Sequence, residues 1–433
     1  MDYWDPFIER MPKSELIKLQ EKKLRQLVAY VKDHSKIYRR KFKETKINTD
    51  DIKTLDDLHK LPFTIKKDFR DNYPIGMLCV PDDQVIRYHA SSGTTGKRTI
   101  VGYTRNDIHE WSTSLARGLT SLGVGRSDII QNSYGYGLFT GGLGFHYGAE
   151  MVGATTLPTG AGMTERQLEL MQDLGTTAFA CTPSYFLHIA EVARNLGIDF
   201  SRDTKLKVGL FGAEPWSEDM RKRIEESTGI NAYDVFGTSE LNGPLFMECK
   251  YKNGIHIWAD QYIVEIINPE TGEPVSEGKK GELVVTTISK EAMPLIRYKI
   301  GDITYINSDE CECGRTHPRL MRILGRADDM LIIRGINVFP GQIESVLMKI
   351  PELSENYQLV IDREHELDEM TIIVEIAEKF SKETKPRLLK IRQDVINDLR
   401  NVLNLSVKVK LEKPGSLPRS LGKAKRVIDN RKI

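Results

Sequence analysis

The sequence predicts an α/β protein with a large N-terminal domain of βαβ units plus a β-rich subdomain, followed by a small α+β C-terminal domain. Short apolar runs alternate with amphipathic segments through the middle of the chain, and this order is typical of parallel βαβ units. From residue 255 to 306 the pattern changes to short strands with turn signals, which indicates an antiparallel sheet or barrel. Beyond residue 330 the order β-α-β-β-α-β is typical of a small independent module.

Composition and charge narrow the classes of function. The chain has 433 residues, 40% hydrophobic and 28% charged, as expected for a globular protein of two or three domains. Because 62 basic residues balance 61 acidic ones, the bulk charge predicts neither a nucleic acid nor a membrane surface as partner. The N-terminus has early acidic residues and no apolar stretch, so we expect neither a signal peptide nor a membrane helix. Five cysteines without a signal favour a reducing compartment, the cytoplasm, over a disulfide framework.

The elements of the N-terminal domain are predicted in order from periodicity and capping. Residues 14–45 have apolar positions at helical spacing, so a helix is expected there. The run "DQVIRYHA" predicts a strand, and a helix capped by Thr104 is expected over 104–122. The segments that follow are alternately strand and helix: "DIIQNSYG", "GGLGFHYGAEMVG", "TTAFACT", "PSYFLHIAEVARNLG", "KVGLFGA", "SEDMRKRIEESTG" and "INAYDVFG".

A domain boundary is predicted near "LGRADDM", residues 324–330. We therefore expect an N-terminal domain of residues 1–327 and a C-terminal domain of residues 328–433. The C-terminal segments are expected as strand, helix, strand, strand, helix and strand: "MLIIRGI", "GQIESVLMKI", "YQLVIDR", "EMTIIVEI", "KPRLLKIRQDVINDLRNVL" and "SVKVKL". The remaining tail is basic and contains glycines.

The segment "HASSGTTGKRT", residues 89–99, has the composition of a phosphate-binding loop. It is not a Walker A loop, because that motif places a glycine five positions before its Gly-Lys pair, and Ser91 occupies this position before Gly96-Lys97. Its glycines allow backbone N–H groups to approach an oxyanion, and its hydroxyls add donors. The candidate phosphate ligands are Ser91, Ser92, Gly93, Thr94, Thr95, Gly96 and Lys97. A surface turn is the alternative, since these residue types also favour turns.

Eight motifs along the chain carry a resemblance to a known family. They are "SSGTTGK" (91–97), "YGYGLFTGGLG" (134–144), "LFGAEPWSEDMR" (210–221), "YDVFGTSE" (233–240), "GELVVTT" (281–287), "RYKIGD" (297–302), "GRADD" (325–329) and "GKAKRV" (422–427). In this order the chain resembles the adenylate-forming superfamily of acyl-CoA synthetases, luciferases and peptide-synthetase adenylation domains. Within it, the closest likeness is to the phenylacetate-CoA ligase family.

The resemblance implies a two-step reaction. A carboxylic acid, of an aryl or phenylacetate-like type, reacts with ATP and Mg²⁺ to give an acyl-adenylate and pyrophosphate, and coenzyme A then displaces AMP to give a thioester. It also implies that the C-terminal domain is a mobile lid that closes over the large domain. Relatives suggest a homodimer. Two alternatives stay open: an adenylyltransferase similar to coenzyme F390 synthetase, and a non-catalytic nucleotide-binding relative.

The resemblance also assigns residues to roles. Lys423 is the expected catalytic lysine, Glu240 acts with Thr95 to hold Mg²⁺, and Asp328 is the expected hinge. Adenine is expected between the backbone at 212–214 and the ring of Phe236, while Asp302 and Arg326 hydrogen-bond the ribose. The full nucleotide set adds Gly212, Ala213, Glu214, Pro215, Asp234, Gly237 and Thr238.

Two further groups complete the predicted sites. The motif at 134–144 is expected to line the acyl pocket through Tyr136, Gly137, Phe139 and Gly141, with glycine-assisted helix packing as the alternative. Soft sulfur and nitrogen ligands suit tetrahedral zinc, so a structural Zn²⁺ is expected at Cys249, His256, Cys311 and Cys313. His317 is the alternative fourth ligand, and buried reduced thiols without a metal are the alternative to the site itself.

Overall fold

The computed structural model describes residues 2–91, 98–327, 330–334, 336–364, 367–419 and 424–431. The N-terminal region is helical: α1 Pro6–Glu9, α2 Lys13–His34, α3 Lys36–Glu44 and α4 Lys66–Asp71, with 3₁₀ turns at Thr49–Asp51, Leu55–Lys60 and Asp82–Gln84. The prediction of a single helix over 14–45 is wrong at Ser35. That residue leaves the helical conformation, and its hydroxyl accepts from the N–H of Tyr38, so it caps a second helix.

The predicted phosphate loop connects two strands and precedes a long helix. These elements are β1 Arg87–Ala90, β2 Ile100–Tyr103 and α5 Arg105–Ser121, and the two strands pair antiparallel. The predicted cap at Thr104 is present. Its hydroxyl accepts from the N–H of Asp107 at 3.1 Å, and the Asp107 carboxylate accepts from the Thr104 N–H at 2.9 Å.

The large domain is built on a nine-stranded sheet. Its elements are β3 Ile129–Asn132, α6 Thr140–Met151, β4 Thr155–Leu157, α7 Thr164–Asp173, β5 Ala178–Cys181, α8 Pro183–Asn195, α9 Phe200–Asp203, β6 Val208–Gly212, α10 Glu218–Thr228, β7 Asn231–Thr238, β8 Gly243–Glu248 and β9 Ile255–His256. Strands β4, β3, β5, β6 and β7 are parallel neighbours in that order. The alternation predicts the parallel βαβ arrangement, whereas strand β4 and the order of the strands were not predicted. Strand β8 pairs antiparallel with β7 and with β9, so the parallel part of the sheet ends at β7.

The β-rich segment forms a second sheet and completes the first. Its strands are β10 Tyr262–Ile267, β11 Gly281–Thr287, β12 Tyr298–Thr304, β13 Ile306–Asn307, β14 Arg319–Leu320 and β15 Gly325–Arg326. Strands β10, β11, β12 and β15 form an antiparallel sheet, as the turn signals predict, while β13 and β14 extend the large sheet beyond β9.

The C-terminal domain, here called the lid, has its own sheet. Its elements are β16 Leu331–Ile333, β17 Ile336–Val338, α11 Pro340–Leu347, β18 Leu353–Glu364, β19 Leu367–Ile376, the 3₁₀ turn Glu378–Phe380, α12 Lys385–Leu403, β20 Lys408–Glu412 and β21 Val427–Asp429. The sheet order is β20-β19-β18-β21, with only the central pair antiparallel. The predicted helices and strands are present, but two strands were not predicted: β17, which pairs with β16, and β21 within the predicted tail.

Two hydrophobic clusters form the core. The first joins the N-terminal helices, α5, α6 and the β-rich sheet, and the second extends from α8, β6 and α10 into α11, α12 and the lid sheet. The lid therefore shares apolar packing with one side of the large domain. In the part of the chain that the structure describes, no helix combines the length and hydropathy needed to cross a bilayer.

Candidate active site

A slot lies where strands β6 and β7 end, beside strands β12 and β15. It is a cavity of about 200 Å³ lined by Ala213, Glu214, Pro215, Trp216, Asp234, Val235, Phe236, Gly237, Thr238, Asp302, Arg322, Ile323 and Arg326. The carboxyl ends of parallel strands are a usual place for ligands in α/β sheets. Every predicted nucleotide residue outside the phosphate loop lines this slot, except Gly212.

Close backbone approach explains the two glycines beside the slot. A Cβ at Gly212 would lie 2.0 Å from the carbonyl oxygen of Val235, and one at Gly237 would lie 1.5 Å from that of Gly243. Ala213 follows with φ of 69°, a left-handed conformation that is uncommon for residues other than glycine and often found at functional sites. The chain therefore turns sharply after β6 at a residue that lines the slot.

A carboxylate and a guanidinium meet on one wall of the slot. Asp302 and Arg326 are directly opposite each other on β12 and β15, and Arg326 Nη1 donates to Asp302 Oδ1 at 3.1 Å. Arg326 Nη2 also donates to the carbonyl of Ile300 at 3.2 Å. The pair places a hydrogen-bond acceptor beside a donor, a combination that can bind two neighbouring hydroxyls.

Two more carboxylates belong to the slot. Glu214 accepts from the N–H of Ser184 at 2.9 Å and from the N–H of Ala424 at 3.0 Å, so it links the slot to the lid. Asp234 is buried, and burial raises its pKa to about 6. A buried carboxylate of this kind can accept hydrogen bonds from an exocyclic amine.

Glu240, the predicted Mg²⁺ ligand, is buried in the turn after β7. Its backbone carbonyl accepts from Lys290 Nζ at 2.9 Å, and the same ammonium lies 4.6 Å from the centre of the Tyr103 ring. Burial lowers the pKa of Lys290 to about 8, although the carboxylates of Asp107 and Glu240 oppose this change. The turn that carries Glu240 is therefore fixed by a buried cation.

The predicted phosphate loop is described only at its base. Ser91 N–H donates to the carbonyl of Thr99 at 3.0 Å, and Thr99 N–H donates to the Ser91 hydroxyl at 3.4 Å. The predicted hinge Asp328 and the predicted catalytic Lys423 lie outside the described residues. So do the other predicted loop residues, which are Ser92, Gly93, Thr94, Thr95, Gly96 and Lys97. Ala90 N–H donates to the carbonyl of Leu138 at 2.8 Å, which joins this region to the predicted acyl segment.

The predicted acyl segment follows β3 and enters α6. Tyr136 is half-buried and its hydroxyl accepts from Asn132 Nδ2 at 2.9 Å, while the side chain of Phe139 is exposed. A Cβ at Gly141 would lie 2.4 Å from the Phe139 ring, so glycine allows this ring to lie on the helix. Gly137 has φ of 107°, a left-handed value that favours glycine. The glycines thus support close packing, and the segment lies at the same edge of the sheet as the slot.

Sequence reasoning missed several residues at the site. Trp216, Arg322 and Ile323 line the slot, and Lys290 fixes the Glu240 turn. Arg322 Nη1 donates to the carbonyl of Trp216 at 2.5 Å, and its guanidinium lies 5.1 Å from the indole ring. The position of Arg322 close before the "GRADD" motif was the only available signal, because its contact with Trp216 arises from tertiary packing.

Four metal-binding side chains meet away from the slot. The ligand atoms of Cys249, His256, Cys311 and Cys313 all lie within 4.8 Å of one another. Cys249 Sγ is 3.7 Å from Cys311 Sγ, and Cys313 Sγ is 3.4 Å from His256 Nε2. Tetrahedral zinc with Zn–S of about 2.3 Å separates two sulfurs by about 3.8 Å, so the donor set fits this ion.

Burial and hydrogen bonds shift the pKa values of the side chains in the cluster. The three thiols share hydrogen bonds, which lower the pKa of Cys313 and raise that of Cys249. Burial lowers the pKa of His256, which keeps the imidazole neutral and its nitrogen lone pair available.

His317, the alternative fourth ligand, is engaged elsewhere. Its Nδ1 accepts from the N–H of Ala259 at 2.9 Å, and its Nε2 lies 2.9 Å from the carbonyl oxygen of Ile8, to which it donates. Both ring nitrogens are used, so no lone pair remains for a metal.

Comparison with known proteins identifies the chain. A family model described as AMP-binding enzyme matches residues 79–289, and one described as AMP-binding enzyme C-terminal domain matches residues 335–431. Fold and slot therefore define an enzyme of the adenylate-forming class. Phenylacetate-coenzyme A ligases from Thermus thermophilus and Escherichia coli are each 45% identical over 99% of this chain, covering 100% and 98% of their own lengths. The chain belongs to the phenylacetate-CoA ligase family and is an AMP-forming acid–thiol ligase, which confirms the predicted resemblance.

Solved structures of one relative distinguish two states. A 2-hydroxyisobutyryl-CoA ligase in the postadenylation state, with an acyl-AMP bound, is 32% identical over 100% of this chain and 93% of its own, with a TM-score of 0.94. The same enzyme in its thioesterification state, with acyl-AMP and CoA bound, is 33% identical over 99% of this chain and 92% of its own, with a TM-score of 0.74. Over the whole chain, the present structure is thus closer to the postadenylation state.

Proposed function

We propose that the enzyme activates an aryl acetic acid of the phenylacetate type with ATP and transfers the acyl group to coenzyme A. The 45% identity to phenylacetate-coenzyme A ligases over nearly the whole chain carries this proposal. The slot supports it, because it offers a flat ring at Phe236 and the Asp302–Arg326 pair for an adenosine moiety. The nearby segment at 134–144 supplies aromatic side chains for an aryl acid.

The charges of the site suit the first half-reaction. A carboxylate must approach a phosphate, so fixed donors and cations are needed where negative charge gathers in the transition state. We assign Mg²⁺ to the buried carboxylate of Glu240, with Thr95 as its predicted partner, because a hard cation prefers oxygen ligands. When bound, the ion supplies positive charge at the phosphate oxygens.

A pyrophosphate-release screen tests the proposed substrate class. Phenylacetate, indoleacetate, benzoate and a medium-chain alkyl acid are compared, each with and without coenzyme A. We expect the arylacetates to support AMP formation most strongly, and a thioester to form only when coenzyme A is present. Release of pyrophosphate with a deazaflavin phenol and no thioester would favour the adenylyltransferase alternative. Absence of pyrophosphate release with every acid would refute the proposal.

Asp302→Asn is expected to raise KM for ATP by about 10–100-fold with a smaller change in kcat. The substitution removes a charged acceptor, and hydrogen bonds to charged groups contribute about 1.5–3 kcal/mol. Steady-state kinetics with varied ATP measure the effect. Glu282→Gln is the matched control, since it removes a buried carboxylate paired with Lys299 on the neighbouring strand of the same sheet. Equal KM values in both variants would contradict the ribose role.

We also propose that Cys249, His256, Cys311 and Cys313 hold a structural zinc ion. Cys249 follows β8, His256 lies in β9, and the other two thiols lie in the turn before β14. The ion would therefore join strands at the antiparallel end of the large sheet, where it stabilises the fold and takes no part in the chemistry. All five cysteines carry free thiols, which suits a reducing cytoplasm. A homodimer remains the prediction of the resemblance.

A further inference from the structure

Helix α10 of the large domain and helix α11 of the lid cap each other. Arg223 on α10 donates from Nη1 to the carbonyl of Leu353 at 2.9 Å, and from Nη2 to those of Met348 at 2.9 Å and Ile350 at 3.3 Å. Met348 is the C-cap residue of α11. The last carbonyls of a helix lack partners within the helix and carry partial negative charge, so a cation there is favourable.

The lid returns an equivalent contact to α10. Glu344 on α11 is buried, and its Oε1 accepts from the N–H of Ser217, the N-cap residue of α10, at 2.9 Å. Its Oε2 accepts from the hydroxyl of Tyr357 at 3.0 Å, and Arg426 Nη2 lies 3.9 Å away. A carboxylate at a helix N-terminus is favourable for the same electrostatic reason. Each domain thus supplies the charge that the other domain's helix end requires.

The contacts of Arg223 and the contact between Glu344 and Ser217 depend on the orientation of the lid, because they join residues of the large domain to residues of the lid. The same orientation places Arg419 Nη2 3.1 Å from Glu191 Oε1 and brings the N–H of Ala424 to Glu214. Arg419 and Ala424 lie on either side of residues 420–423, the segment that contains the predicted catalytic Lys423. The residues that flank that segment on both sides therefore contact the large domain in the orientation in which α10 and α11 cap each other.

We propose that Arg223 and Glu344 are positioning residues that hold the lid in the orientation of the adenylate-forming half-reaction. Their contacts must break before the lid can take another orientation for thioester formation. The inference rests on the proposed function. It means that the contacts between α10 and α11 help to determine which of the two half-reactions the orientation of the lid favours.

Arg223→Met tests the inference by separating the half-reactions. We expect acid-dependent pyrophosphate release to fall by about 10-fold or more. The substitution removes contacts that stabilise only this orientation of the lid, so a smaller fraction of the enzyme adopts it. Thioester formation from supplied acyl-adenylate and coenzyme A should keep its rate or increase. Arg223→Lys, which keeps a donor cation, should recover part of the first activity. Glu344→Gln should also lose pyrophosphate release and keep thioester formation, with a smaller loss. This variant provides the test if Arg223→Met does not fold.

Lys222→Met is the matched control, because Lys222 is the exposed neighbouring cation on α10. It should leave both half-reactions unchanged. An equal loss of both half-reactions in Arg223→Met and Glu344→Gln, or the same pattern in Lys222→Met, would overturn the inference. Failure of the wild-type enzyme with every acid would instead refute the proposed function, so the two failures are distinguishable.

Discussion

Lys423→Ala is expected to slow adenylate formation by about 10²–10³-fold, while thioester formation from supplied acyl-adenylate largely survives. Removing one fixed donor from a site where negative charge develops typically costs this much in rate. A lysine ammonium is a compact point charge that can contact the attacking carboxylate and the α-phosphate together. Coenzyme A attacks an acyl group that is already activated, so the second step has less need of this charge.

The prediction for Lys423 is measured by single-turnover assays of each half-reaction. Lys425→Ala is the matched control, since it removes an exposed cation two residues further along the same tail. It should change neither rate. Comparable losses of both steps in Lys423→Ala would contradict the assigned role, and so would normal adenylation.

The sequence predicted the parallel part of the fold well because burial dictates it. Strands such as β5 are apolar on both faces, and the amphipathic helices between them leave few other arrangements. The break at Ser35 was not predictable from periodicity, since apolar spacing continues across it. Strand β21 was missed because only three residues pair, in parallel, with the distant β18. Local patterns thus predict elements, while long-range pairing decides where they end.

The residues of the site likewise divide into those that local motifs predict and those that only tertiary packing brings together. The motifs predicted that Asp302 and Arg326 bind the ribose, but only the fold shows that they lie opposite each other on two strands. Arg322 lies outside the recognised motifs, and its position in the slot depends on its contact with Trp216. The choice between His256 and His317 could not be made from spacing, because the N-terminal segment that occupies His317 Nε2 lies far away in sequence.

Cys311→Ser is expected to abolish zinc binding and to lower the free energy of unfolding by about 3 kcal/mol or more. Loss of a metal ligand belongs to the short list of changes with large effects on stability. Even changes outside the ligand shell weaken metal binding by about 10–100-fold. Without the ion, the remaining thiols and the imidazole of His256 stay buried, and His256 Nδ1 has no hydrogen-bond partner among the described residues.

The effect of zinc loss should extend to the N-terminus. The hydroxyl of Tyr3 donates to the carbonyl of Cys313 at 2.6 Å, and the buried Arg315 forms an ion pair with Glu9 at 2.6 Å. The loop that carries two of the thiols therefore also holds the first helix. We expect faster hydrogen exchange and earlier proteolysis over residues 2–11 in Cys311→Ser than in wild type.

Zinc content, thermal unfolding and KM for ATP together test the site. We expect about one zinc per wild-type chain, none in Cys311→Ser, and an unchanged KM, because β9 is separated from β7 of the slot by β8. Cys79→Ser is the matched control, since it replaces a buried thiol outside the cluster and should retain the metal. A wild-type protein without zinc would refute the proposed ion. A stable, zinc-loaded Cys311→Ser would show that the ion binds elsewhere.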